Sequence, residues 1–153
     1  MSNDFQPYTF THPLLGPLTG RISPTTPVVH FRSIPFATIP ARFRQSVLLD
    51  HIPASRSRDF TKYGALCPEP GANARSGGEG GKIYDEFECL NLVISVPKAA
   101  LEDGEKGQGL PVMVYVHGGG FVVGSTFVDE RDGEYTPTFF NDTWSEIDLI
   151  NGI

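Results

Sequence analysis

The feature that most constrains this chain is an apolar run, LPVMVYV (110–116), which ends in a histidine and three glycines, HGGG (117–120). The run lacks the alternation of apolar and polar side chains typical of a strand with one face in solvent. It therefore predicts a strand covered on both faces, as in a sheet flanked by helices. Glycines directly after such a strand let backbone N–H groups approach a ligand closely, because no Cβ obstructs them.

Two or more such donors aimed at one point can stabilise the oxyanion of an acyl-transfer intermediate, at about 3–4 kcal/mol each. HGGG after a strand is the oxyanion-loop motif of lipases and esterases. A plain tight turn is the alternative, but phosphate-binding loops do not fit. A dinucleotide-binding motif would need glycine in place of Val123, and a P-loop would need glycine in place of Ser76. We expect His117 to hold the loop by hydrogen bonds; a catalytic base is the alternative.

Three further segments predict short strands, because β-branched and aromatic residues are bounded by turn residues: GPLTGRI (16–22), VVHFRSIPFA (28–37) and ECLNLVISVP (88–97). The charged connection after them (98–109) allows a short turn of helix, but no amphipathic helix of ten or more residues is evident. We therefore expect the α/β fold class, with only the opening part of such a domain in the chain.

Charge and hydropathy exclude several function classes. Lys and Arg number 12 against 18 Asp and Glu, a net charge of −6, which argues against binding to nucleic acid or anionic membranes. No stretch approaches the roughly 18 apolar residues of a membrane span. The N-terminus lacks the pattern of a signal peptide, so we expect a cytoplasmic protein, with the secretory pathway left open. We expect no cofactor and no metal, since the acidic stretch 129–134 does not fit a calcium-binding loop.

Taken in order, these segments resemble the N-terminal part of the type-B carboxylesterases, the serine esterases that include the cholinesterases. GPLTGRI resembles the opening hairpin of that family, and VVHFRSIPFA its V..F.GIPYA segment, with Ser33 where glycine is usual. ARF (41–43) resembles its LRF element, and YGALCPEP and FECLNLVISVP resemble its two cysteine-bearing segments. LPVMVYVHGGGFVVGS is similar to its oxyanion strand and loop. The resemblance covers about residues 16–138. We therefore expect residues 1–138 to be the N-terminal portion of a domain of this family and residues 139–153 to be an atypical tail.

The resemblance implies a truncated α/β-hydrolase fold: a small N-terminal β-hairpin region plus the first strands of the central sheet. It also implies hydrolysis of small-molecule carboxylic esters through a Ser–His–Glu/Asp triad. Gly119 and Gly120 would donate their N–H groups to the oxyanion. Gly118 would shape the turn, and His117 would support the loop.

The resemblance also implies a disulfide and a neighbouring ion pair. Cys67 and Cys89 match the first disulfide of the family; two reduced, buried thiols are the alternative, since no signal peptide is visible. The family usually has a glutamate two residues before the second cysteine, paired with the arginine of LRF. Phe87 stands there in this chain, so Glu86 or Glu88 would have to take that partner.

The nucleophile is missing from this pattern, because the chain contains no G-x-S-x-G. The nearest match, ARSGG (74–78), lies in a polar loop before the oxyanion segment. A dyad of Ser125 with another histidine is left open, and we assign no catalytic residue. The leading hypothesis is an N-terminal segment of a serine esterase that is inactive alone. The alternatives are a non-catalytic carboxylesterase-like binding protein and a segment of a hormone-sensitive-lipase-type esterase, which also carries HGGG.

Overall fold

The computed structural model describes residues 5–70, 83–102 and 110–125. The elements in this part of the chain are β1 (Gln6–His12), β2 (Gly16–Ile22), β3 (Val28–Pro35), β4 (Ala37–Thr38), β5 (Val47–Leu48), β6 (Asn91–Pro97) and α1 (Lys98–Glu102). Four strands form one antiparallel sheet in the order β1-β2-β3-β6, and β4 pairs with β5. The described part is thus mostly strands, and none of its helices has the length and apolar character needed to cross a membrane.

The sheet begins with the expected hairpin, in which β1 and β2 pair along their whole length. Three residues connect the strands, and Gly16 follows them with a φ of 75°, the left-handed position that glycine fills in three-residue hairpin loops. The Nδ1 atom of His12 accepts the N–H groups of Leu14 and Leu15, at 3.1 and 3.2 Å. The His12 ring therefore stabilises this turn.

The central strand, β3, pairs with β2 on one side and β6 on the other, and its register with β6 shifts between Arg32 and Ile34. Ser33 lies at that shift with a φ of 80°. A left-handed backbone brings a Cβ too close to the following carbonyl, which costs an L-residue about 1–2 kcal/mol. The strain gives a physical reason why glycine would suit this position.

The core lies where side chains of β2 and β3 pack with Ile52 and Phe60. Backbone hydrogen bonds join Phe60 to Thr19, at 2.7 Å, and Arg32 to Phe60, at 2.8 Å. The ring of Phe31 lies directly on Gly20, where an added Cβ would be 2.8 Å from the Phe31 Cδ1 atom. The buried side chains of this core are Leu18, Val29, Phe31, Ile52 and Phe60.

The predicted buried strand at 110–116 does not form. The run is irregular and pairs with no strand among the described residues. Val112, Val114 and Val116 are 83%, 79% and 80% exposed. A strand depends on hydrogen bonds to a neighbour, and the described sheet ends at β6 without pairing this run. Local apolar character alone is therefore not enough to build the element.

Candidate functional site

The glycines after the apolar run form a tight turn that closes on one carbonyl. The Gly119 carbonyl oxygen accepts the N–H groups of Val122 and Val123, both at 3.1 Å. Gly119 has a φ of 134°, and a Cβ at this position would overlap the Val123 carbonyl group. Gly120 follows with a φ of 61°. The turn therefore depends on glycine at Gly119, both for its backbone conformation and for the missing side chain.

The predicted oxyanion donors are the N–H groups of Gly119 and Gly120. Within the described residues, no hydrogen bond engages the N–H groups of Gly119 and Gly120. The space where a Cβ would stand on Gly118 or Gly120 is open, with no atom within 4 Å. Adjacent N–H groups on a turn of this kind can donate to an anionic oxygen.

His117 contacts the loop that it precedes. Its Nδ1–H donates to the Gly118 carbonyl oxygen at 2.9 Å, since a carbonyl can only accept. A Cβ built on Gly124 would stand 2.7 Å from the same nitrogen. The ring thus contacts both the entry and the exit of the turn.

The exit of the turn is tied to a distant segment that sequence reasoning did not assign to the site. Gly124 donates its N–H to Oε1 of Glu69, at 2.8 Å, across 55 residues of chain. Glu69 is half-buried and lies two residues after Cys67. The CPEP sequence places it beside a cysteine, but no sequence pattern indicates that its partner is the glycine turn.

The two cysteine-bearing segments come together, with both cysteines present as free thiols. Leu66 forms a bridge with Tyr84, and backbone hydrogen bonds of 2.7 and 3.0 Å support it. Cys67 is exposed and Cys89 half-buried. Burial raises the pKa of the Cys89 thiol to about 11, and the neighbouring Cys67 sulfur adds to the rise. Cys89 therefore remains protonated at neutral pH and is a weak nucleophile.

The structure answers which glutamate pairs with the arginine of ARF. Arg42 Nε lies 2.5 Å from Glu86 Oε2. Glu88 instead pairs with Arg56 through two contacts, of 2.6 and 3.0 Å. The two glutamates around Phe87 thus divide between two arginines, a choice that sequence spacing left open.

Other candidate groups are used elsewhere or lie outside the described residues. The Nδ1 atom of His30 lies 2.8 Å from the Ser95 hydroxyl, across the β3–β6 pair, and His51 is exposed. Ser76, the acidic stretch 129–134 and the tail 139–153 lie outside the described residues. Among the residues described, no group of three or more His, Cys, Asp or Glu side chains gathers as a metal site would require.

Comparison with known proteins identifies what the chain is similar to. The model of the carboxylesterase family matches residues 7–143. Esterase cest-33 of Caenorhabditis elegans is 32% identical over 111 residues, 69% of this chain and 19% of the relative. The pyrethroid hydrolase Ces2a of Mus musculus is 38% identical over 106 residues, 65% of this chain and 18% of the relative. The phenmedipham hydrolase of Pseudarthrobacter oxydans is 33% identical over 134 residues, 80% of this chain and 26% of the relative. No solved structure matches the chain significantly.

Proposed function

Because this chain belongs to the carboxylesterase family, we propose that its glycine turn is the oxyanion hole of an α/β-hydrolase that hydrolyses small-molecule carboxylic esters. The observation that supports this proposal is the pair of N–H groups on Gly119 and Gly120, neither of which donates a hydrogen bond to a described residue. Three of the relatives are named as an esterase, a pyrethroid hydrolase and a phenmedipham hydrolase. The family match favours this proposal over a hormone-sensitive-lipase type.

The mechanism assigns the turn a defined step. Attack on an ester carbonyl moves negative charge onto its oxygen, and the two N–H donors stabilise that charge as it develops. Donors held in place before the reaction need no reorganisation during it. His117 keeps the entry of the turn in position through its hydrogen bond to Gly118.

The attacking serine must come from residues other than these 153. The chain has no G-x-S-x-G, and it spans only 18–26% of the length of these three relatives. In the proposed protein the nucleophile, the acid and the catalytic histidine therefore lie outside this segment. The segment alone brings no nucleophile to its oxyanion hole, so it does not turn over esters.

The cysteine pair has a structural part in this proposal. An oxidised Cys67–Cys89 pair would close the loop between two segments that already lie together. A bridge over a loop of that size would stabilise the fold by roughly 3 kcal/mol. Peptide mapping without reduction detects the bridge, and linear peptides alone would show that the thiols stay reduced.

The first test uses the chain as it is. We expect no turnover of a short-chain nitrophenyl ester above that of a Gly119→Ala/Gly120→Ala double variant. Saturable activity that the double substitution abolishes would place a nucleophile inside these residues and contradict the proposal.

The second test supplies the missing part. In a chimera, this segment replaces the matching 134 residues of phenmedipham hydrolase. We expect an active esterase whose kcat falls roughly 10²–10³-fold in the Gly119→Ala form, because the added Cβ would overlap the Val123 carbonyl group and displace the N–H donors. Leu14→Ala, at an exposed hairpin-turn residue, is the control that keeps full activity. A folded chimera that binds esters without hydrolysing them would support the non-catalytic alternative.

A further inference from the structure

The glycine turn is anchored to the rest of the molecule by a carboxylate. Gly124 donates its N–H to Glu69 Oε1 at 2.8 Å. A hydrogen bond to an ionised carboxylate is about twice as strong as one between neutral groups. The bond links the end of the turn to the segment that carries Cys67, 55 residues earlier in the chain.

The other hydrogen bonds of the turn cannot provide this anchoring. The two bonds to the Gly119 carbonyl and the His117–Gly118 contact all lie within residues 117–123. They fix the shape of the turn but not its orientation relative to the sheet. Gly124 immediately follows the closed turn, with a φ of 110°, and packs against the His117 ring. A constraint at Gly124 therefore acts on the entry and the exit of the turn together.

The carboxylate of Glu69 differs from those of Glu86 and Glu88 in its partner. Glu86 and Glu88 are paired with arginines, whereas Glu69 forms no ion pair within residues 5–70, 83–102 and 110–125. The Glu69 carboxylate instead accepts a hydrogen bond from the Gly124 N–H.

We propose that Glu69 is a positioning residue for the glycine turn. By holding Gly124, its carboxylate sets the direction of the Gly119 and Gly120 N–H groups without touching the substrate. The consequence for ester hydrolysis rests on the proposed function, but the anchoring itself does not.

The anchor is tested by NMR on the ¹⁵N-labelled chain. We expect the Gly124 amide to exchange its hydrogen slowly, and Glu69→Gln to retain most of that protection, because the amide oxygen of glutamine can still accept the bond. Glu69→Ala should raise the Gly124 hydrogen-exchange rate about tenfold, as expected for loss of a bond to a charged group. Glu88→Gln is the matched control that leaves Gly124 unchanged.

Two outcomes would overturn the anchor. One is rapid hydrogen exchange of the Gly124 amide in the unsubstituted chain. The other is an unchanged Gly124 exchange rate in Glu69→Ala.

The esterase chimera separates the anchor from the reaction. Glu69→Ala should lower kcat with little change in KM, because the turn still forms but is poorly oriented, and Glu69→Gln should restore most of the loss. Equal kcat in all three forms would overturn the positioning role. An inactive chimera with the expected NMR behaviour would count against the proposed function and leave the anchor standing.

Discussion

Replacing Ser33 by glycine should stabilise the fold, although glycine in a strand usually does the opposite. Ser33 has a φ of 80°, and relief of that conformation is worth about 1–2 kcal/mol. The added freedom of the unfolded chain offsets about 0.4–1 kcal/mol of this gain. The Ser33 hydroxyl has no hydrogen-bond partner among the described residues, so no bond is lost. We expect a net increase of about 0.5–1 kcal/mol in the free energy of unfolding.

Urea unfolding followed by circular dichroism measures this change, with an unchanged slope showing that only stability has moved. The matched control is Ser46→Gly, at an exposed residue outside the strands and without positive φ. It should lose about 0.4–1 kcal/mol, because only the unfolded-chain effect remains. If Ser33→Gly is destabilising by as much as Ser46→Gly, the β3 backbone is not strained and the reasoning is refuted.

Three further changes test other parts of the structure. Gly20→Ala should lower the free energy of unfolding by about 1–3 kcal/mol, because its Cβ would press on the Phe31 ring; an unchanged urea midpoint would contradict this packing. The pKa of Cys89 is raised from 9.0 to about 11, so the unfolded chain loses its thiol proton first. The free energy of unfolding therefore keeps its full value below about pH 9 and decreases as the pH rises towards 11. The urea midpoint of the reduced protein should fall across that range, and it should fall less in Cys89→Ser. Breaking the Arg56–Glu88 pair with Arg56→Gln should cost about 0.5–1 kcal/mol at low salt, and nearly nothing in 1 M salt if screening governs it.

Local patterns were sufficient to predict three of the four strands of the main sheet, but not β1. The β-branched, aromatic and turn residues of 16–22 and 28–37 indicated strands, and β2 and β3 lie there. The run at 88–97 likewise contains β6. These strands pair with one another, so the residues that specify them and the partners that stabilise them are both among those described. The apolar run 110–116 also predicted a strand, but it pairs with no strand among the described residues and is irregular.

The site was predictable where it depends on a contiguous motif. The HGGG motif indicated a glycine turn, and the structure has positive φ angles at Gly119 and Gly120; the oxyanion role of their N–H groups stays a prediction. The Glu69–Gly124 contact was not predictable, because a hydrogen bond across 55 residues leaves no spacing in the sequence. The division of Glu86 and Glu88 between two arginines was equally hidden, since it depends on which way each side chain leaves the turn.

The pairing of β3 with β6 also sets the order in which the sheet can fold. β1, β2 and β3 follow one another along the chain, so their hairpins can close within microseconds. Pro35 must then meet Asn91, and closing a loop of about 55 residues has an entropic cost of roughly 3–4 kcal/mol before any contact compensates for it. We expect β6 to join the sheet last. Substitutions in β6 should therefore change the unfolding rate more than the folding rate.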